Sequence, residues 1–417
     1  MKVCIIGAGV IGLTTAYALS RRGHEVCVVD AAHTPGSGTS SGNGAQLSYS
    51  YVAPLADETV WKNLPKYLLS PNSPLTLRPA FDTAQWSWMV QFLAACRKST
   101  ARETTAYLLQ LAFLSRDRLD AMCRDLPLDF SHRTAGKLVL YGSADALAAA
   151  GRQADFQRGL GCEQAVLDMA GCIKVEPQLA PHERKWVGGI HTPSEQVGDC
   201  AAFCAQLADA LSARNVRFQF GTRVKGFARA GNHISALQTS AGDIAADHFI
   251  LANGTGSAAL AKHLGLTLPV YPLKGYSVTL EAVNEADLPV VSITDAPNKV
   301  VYARLGKRLR VAGRVEIVGH DLRIDGARCA ALAQAAQNLF PKLADRGTQD
   351  ISPWAGLRPA TPTGLPIIGR SPLRNLHFNT GHGALGWTLA CGSAELLARE
   401  LCGEPAPIDS QAFSYSI

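Results

Sequence analysis

No two of the eleven cysteines, spread from Cys4 to Cys402, stand in a C-x-x-C pair. That spacing excludes the usual zinc and iron–sulfur frameworks, and the odd count argues against a disulfide scaffold. The cysteines read as small buried hydrophobes of a reducing compartment, and no metal site is expected. Long apolar runs are missing as well: none reaches the ~18 residues that a spanning helix needs. The nearest, Trp86 to Cys96, reads as an amphipathic core helix, with a membrane-facing surface as the other reading. Lysine and arginine form no run, and the net charge is only +6 over 417 residues. A nucleic-acid stripe is therefore excluded, while mild attraction to anionic lipid or substrates stays open. There is no internal repeat and no low-complexity segment. What remains is an ordinary globular composition, 47% hydrophobic and 18% charged, long enough for two or three domains with a large core.

The chain opens on chemistry. Val3 to Ile6 is an apolar run suited to a buried parallel strand, so a cleaved signal peptide would delete the first strand, and export by that route is not expected. It leads into Gly7-Ala8-Gly9-Val10-Ile11-Gly12, a helical pattern follows, and a second strand from Glu25 to Val29 ends at Asp30. A G-x-G-x-x-G between strand and helix, with an acid at the end of the next strand, is the fingerprint of dinucleotide binding. Gly7 permits the tight turn, Gly9 lets backbone approach a pyrophosphate, and Gly12 lets helix and strand pack closely. The helix N-terminus offers amides and partial positive charge to the phosphates, and Asp30 can accept ribose hydroxyls. This motif alone does not separate FAD from NAD.

Thr39 to Gln46, rich in small and hydroxyl residues, points toward a flavin. As a linker it would be merely flexible; as a flavin loop it supplies donors and close backbone approach, and the uncharged continuation from Leu47 to Ala53 suits a cofactor wall. Further on, helices are expected from Thr105 to Arg124 and Cys200 to Ala213, strands at Gly136 to Tyr141 and Arg217 to Phe220, and a hairpin-like region from Val224 to Ile244. Phe249 to Gly256 reads as a strand meeting the first cofactor site, not as a second fingerprint, because no acid-ended strand follows. Residues 266 to 320 alternate with period two and predict an antiparallel sheet, closed by a helix from Ala327 to Phe340. Gly381-His382-Gly383 opens a last helix, whose start can address another part of the same cofactor.

These stretches, with Thr192-Pro193, Val270 to Ser277, Glu316 to Gly319 and Gly356-Leu357-Arg358-Pro359, resemble the D-amino acid oxidase and glycine oxidase superfamily of FAD enzymes. Within it they most resemble the small subunits of bacterial D-amino acid dehydrogenases. The likeness runs in order over nearly the whole chain. It implies an α/β fold: a Rossmann-like FAD-binding domain from 1–50, 145–265 and 350–417, and a second α+β substrate domain, built on an antiparallel sheet, from 51–144 and 266–349. It implies FAD contacts at Gly7, Gly9, Val10, Ile11, Gly12 and Asp30, at Ser40, Ser41, Gln46 and Leu47, and at Val224, Asn253, Gly254 and Gly356. The last loop and helix add Gly381, His382, Gly383, Leu385, Gly386, Trp387 and Thr388. The chain departs from glycine oxidases at Gly383-Ala384, where they carry an arginine, and from the family stretch at Gly313-Arg314-Val315.

The implied reaction is oxidation of a D-amino acid to an imino acid by hydride transfer to flavin N5, with electrons passed to a quinone or dye. Arg358, in the family's G-[LF]-R-P motif, is the expected carboxylate anchor, because a planar guanidinium can grip a carboxylate with two bonds. Tyr302 and Tyr276 are pocket candidates that core tyrosines would mimic. Lys274 sits near the flavin or caps a strand, and His382 contributes backbone. A hydroxyproline or cyclic-amine dehydrogenase, or a flavin-binding subunit of a hetero-oligomer, are the neighbouring readings. Hetero- or homo-oligomeric assembly stays open, and the expected location is cytoplasmic, peripheral on the inner face of the plasma membrane.

Overall fold

The computed structural model describes residues 1–61, 75–345 and 351–415. Val3 to Ile6 and Val26 to Val29, apolar on both faces, form adjacent parallel strands buried in the middle of a six-stranded sheet. Its order is Ile367–Arg370, Leu376–Thr380, His248–Leu251, Lys2–Ile6, Glu25–Val29 and Arg217–Gln219, all parallel except the first, edge strand. Helix Val10–Ser20 connects the two central strands. It is buried nearly all round because the helices Cys200–Ala213 and Gly386–Cys402 pack against it.

A second sheet of nine strands runs Ile351–Ala360, Tyr271–Glu281, Arg308–Ile317, Val300–Leu305, Ser292–Asp295, Lys137–Tyr141, Gly188–Thr192 and Ala165–Asp168, with Leu75–Leu77 paired to Arg308–Ile317. It is mixed: Ser292–Asp295 runs parallel to Lys137–Tyr141, and Leu75–Leu77 parallel to its partner. Alternation sorts the side chains. Tyr276, Val278, Leu280, Leu309 and Val311 lie in one core with Leu332 and Ala336 of helix Gly326–Leu339. Leu273, Gly275 and Ser277 take the opposite face.

Chain and sheets interleave more than the sequence boundaries imply. Ala165–Asp168 and Gly188–Thr192, placed by sequence with the cofactor unit, extend the second sheet because their backbones pair with Lys137–Tyr141 and with each other. Ile351–Ala360 does the same along Tyr271–Glu281. Conversely, helix Lys98–Asp125, placed with the second unit, buries Leu108, Leu111, Ala112 and Leu119 in the core that holds Val3 and Leu13. Gly392 permits this: a Cβ there would lie 2.6 Å from the Leu111 carbonyl oxygen. Val224–Ala230, His233–Thr239 and Gly242–Ile244 form their own small antiparallel sheet. The last helix begins at Gly386, after a 3-10 turn over Gly383–Leu385. All eleven cysteines are free.

Candidate active site

A cavity of about 1250 Å³ lies between the two sheets, with walls from both. At its first-sheet end the opening motif behaves as its residues require. Gly7 has φ +112° and leaves no room for a Cβ against Ala252; a Cβ on Gly12 would collide with the Gly7 carbonyl oxygen. Helix Val10–Ser20 has no side-chain cap at Gly9 and no acid in its first turn; Ser40 Oγ accepts from Val10 N–H at 3.1 Å. Asp30 accepts from the amides of Ala8 (2.6 Å) and Ala32 (2.8 Å), which fixes a carboxylate at the cavity edge. Helix Gly386–Cys402 also starts uncapped and without acids, and Gly383 to Thr388 line the cavity. Two helix N-termini thus present amides and partial positive charge to one space.

The loop from Thr39 to Gln46 runs between the halves and is pinned by the second sheet. Thr39 Oγ1 donates to Leu357 O (2.7 Å), Ser277 Oγ to Gly42 O (2.7 Å), and Arg310 to Asn43 O (2.8 Å). Trp354 packs against Gly42 and Gly356, where any Cβ would strike its indole ring.

Arg358 lies at the second-sheet end. Among the described residues its side chain donates one hydrogen bond, from NH1 to Arg314 O at 3.1 Å. That carbonyl is presented by a bulge: pairing with Tyr271–Glu281 shifts between Lys274 and Tyr276, and Arg314 has φ +65°. The guanidinium sits over Gly275, so a Cβ there would strike it. Burial draws the Arg358 pKa down to about 10, so it is still a cation at neutral pH. The charged side chains lining the cavity are Lys137, Arg223, Lys299, Arg314 and Arg358, and the one carboxylate among the described residues is Asp30. The space is built for anions.

Lys137, buried, donates to Gln46 Oε1 (2.7 Å) and Ser48 Oγ (2.9 Å) and lies 4.2 Å from the centre of the Tyr51 ring. Glu195, behind it, accepts the amides of Tyr49 and Ser50. Burial moves both groups toward their neutral forms, the ammonium downward and the carboxyl upward.

The expected residues divide by position. Gly7, Gly9, Val10, Ile11, Asp30, Ser40, Gln46, Val224, Asn253, Gly254, Gly356, His382, Gly383, Leu385, Gly386, Trp387, Thr388 and Arg358 line the cavity. Gly12 and Gly381 stand behind the wall, and Leu47 is in the core on a short strand paired with Gln196–Val197. Ser41 is turned to solvent, donating to Gly38 O at 2.8 Å. Tyr302 is misplaced by the sequence reading: it is 1% exposed on the helix-covered face, edge-on to Phe340. Tyr276 borders the cavity, but its hydroxyl donates to Glu316 at 2.9 Å on that same far face. Lys274 also points there, to Arg323 O. Two further tyrosines, Tyr51 and Tyr141, also line the space; the first lies in the uncharged stretch from Leu47 to Ala53, and nothing local distinguishes the second.

Whether a flavin nucleotide fits can be judged from polar atoms. Gln46 Nε2, Thr294 Oγ1, Asn379 Oδ1 and both ring nitrogens of His382 are buried without a partner among the described residues, and all four residues line this cavity. Buried polar atoms rarely stay unpaired, and these border a volume large enough for a dinucleotide.

A family model described as FAD dependent oxidoreductase (DAO) matches residues 2–400. D-amino acid dehydrogenase 2 of Pseudomonas aeruginosa is 47% identical over 413 residues, covering 98% of this chain and 97% of the relative. Its counterpart in Ralstonia nicotianae is 44% identical over 416 residues, covering 98% and 97%. Among solved structures, glycine oxidase from Geobacillus kaustophilus aligns with a TM-score of 0.79 at 24% identity, covering 99% of this chain and 98% of the other. L-Proline dehydrogenase from P. horikoshii aligns at 0.74 and 17%, covering 99% and 96%. These two likenesses speak to the fold, a Rossmann-like domain joined to a second one. The glycine fingerprint, the paired helix N-termini and the family match over almost the full length agree: the chain belongs to the family of FAD dependent oxidoreductases.

Proposed function

We propose that this chain is an FAD-dependent dehydrogenase that oxidises D-amino acids to imino acids, which water hydrolyses to 2-oxo acids and ammonia. The observation that carries the reading is Arg358, a half-buried guanidinium on the cavity wall whose NH1 donates to a backbone carbonyl oxygen. A charge so placed calls for an anion, and the α-carboxylate of an amino acid fits its planar fork. The names of the two curated relatives support the amine chemistry.

FAD, when bound, supplies the hydride acceptor. The chain's own residues do the rest. Asp30 and the two helix N-termini hold the nucleotide. Arg358 anchors the carboxylate and so orients the Cα–H. Leu273, Trp354 and Val315, which line the same end, exclude water. No protein base is required if the amine enters neutral. His382 fits that view: burial lowers its pKa to about 3, so it takes no proton near neutrality.

The finer reading is that electrons leave to a membrane quinone and that the protein works peripherally on the cytoplasmic face. Phe81, Trp86 and Val90, on and just before helix Thr83–Ala95, are exposed, while Trp88 and Phe92 of the same helix reach the cavity. No helix among the described residues is long and apolar enough to cross a membrane. The test is anaerobic mixing of purified, FAD-containing protein with D-alanine, D-proline and their L-enantiomers. Bleaching of the flavin band by D-enantiomers only, with dye or soluble quinone reduced faster than oxygen, is expected. No bleaching by any D-amino acid would overturn the substrate class, and equal rates with oxygen would overturn the acceptor.

A further inference from the structure

We propose that Lys137 is a positioning residue that locks the carboxamide of Gln46, so that the Nε2–H of Gln46 serves as a fixed donor to the flavin ring. The inference rests on the FAD reading of the cavity and adds a residue that no glycine or flavin-loop motif contains.

The geometry fixes the amide's orientation. An ammonium can only donate, so the oxygen of the carboxamide must face Lys137 Nζ, as it does at 2.7 Å. Nε2 then faces the other way, and there it is buried without a partner among the described residues, in a residue that lines the cavity. The clamp is braced on three sides. Lys137 also donates to Ser48 Oγ, and Ser48 N–H donates to Thr388 Oγ1 at the start of helix Gly386–Cys402. The Tyr51 ring covers the ammonium from the cavity side. The backbone of Lys137 is held in the second sheet between Ser292–Asp295 and Gly188–Thr192. One buried cation therefore ties together the sheet, the flavin loop and the helix N-terminus.

A donor held in this way matters most when the ring has received electrons, because the acceptor atoms of the ring become more negative and a preorganised N–H gains strength without reorientation. Lys137 adds positive charge behind it. Both effects favour reduced over oxidised FAD.

The experiment compares wild type with Lys137→Met, Lys137→Arg, Gln46→Glu and the Lys137→Met/Gln46→Glu double variant, all as holoenzymes. FAD content, thermal midpoint, flavin midpoint potential, and kcat and KM for D-alanine are measured. Lys137→Met and Gln46→Glu should each weaken the preference for reduced FAD tenfold or more, which moves the potential about 30 mV negative for a two-electron couple. kcat should fall with KM little changed, Lys137→Arg should recover part of the shift, and the double variant should move no further than the larger single one, because the two groups act as a unit. If Lys137→Met fails to fold, Gln46→Glu decides, since its carboxylate keeps the contact with the ammonium and replaces the Nε2 donor by an acceptor. Full FAD with an unmoved potential, or loss of thermal stability alone, would overturn the proposal. A protein that takes up no FAD would instead overturn the cofactor reading beneath it.

Discussion

Arg358 is held in the cavity wall with a backbone carbonyl against NH1, and that arrangement makes the sharpest functional test. Arg358→Ala should keep the fold and the FAD, yet lower kcat/KM for D-amino acids. Removing one partner of a desolvated pair costs about 2–5 kcal/mol, a loss of roughly 30- to 4,000-fold. Arg358→Lys should recover only part, because an ammonium lacks the planar fork. Steady-state kinetics with flavin content measured alongside would check this, and near-normal kcat/KM with full flavin would place the carboxylate elsewhere. His377 and His382 give a second test. Burial lowers both to about 3, so both are neutral when folded. In the unfolded chain each takes a proton near pH 6.5. Between about 6.5 and 3 the unfolded state therefore binds more protons, and stability falls with falling pH by about 1.4 kcal/mol per unit for each histidine. Glu195, raised by burial, acts in the opposite sense over part of that window, so the comparison between variants is the readout. His377→Asn should flatten the dependence of the urea midpoint between pH 6.5 and 5 by one proton's worth; an unchanged slope would contradict the assignment.

Two glycines separate the elements of the site. Gly12→Ala puts a Cβ into the Gly7 carbonyl, between helix Val10–Ser20 and the first strand, and should abolish FAD binding. Gly275→Ala puts one into the Arg358 guanidinium, and should leave FAD in place while raising KM for D-amino acids tenfold or more. Flavin absorbance and kinetics of the two variants would show the split, and its reversal would mean that the two ends of the cavity are assigned wrongly. The first of these elements was legible in the sequence because its signals are local: a strand, three glycines, a helix and an acid within the first thirty residues. The last helix and the Gly-rich turn before it were legible for the same reason. The facing of the long strands was not. Alternation in Tyr271–Glu281 and Val300–Leu305 is plain, but which set meets the cavity depends on what covers the other face. Helix Gly326–Leu339 covers the side with Tyr276 and Tyr302, which leaves Leu273 and Val301 for the site. The bulge at Arg314 and the pairing of Ala165–Asp168 and Gly188–Thr192 with Lys137–Tyr141 depend on non-local contacts that no window of sequence displays.

At the scale of the molecule, an apolar surface and an interleaved chain have separate consequences. Replacing Phe81, Trp86 and Val90 together by serine should leave dye-linked turnover intact but reduce flotation with vesicles of anionic bacterial lipid; equal flotation of variant and wild type would remove that surface from the membrane reading. The interleaving bears on how the protein is made. Lys2–Ile6 leaves the ribosome early, yet its neighbour on one side is His248–Leu251, whose own neighbour is Leu376–Thr380. At about 5–20 residues per second, the nascent chain carries an unfinished parallel sheet for on the order of tens of seconds. Throughout that time a hydrophobic strand edge is open to wrong partners. The nucleotide cannot relieve this early, because Asn253, His382 and the start of helix Gly386–Cys402 emerge late. A fragment ending at residue 250 should accordingly aggregate and remain colourless when translated with excess FAD, and the full chain should depend on chaperones until its last helix has docked.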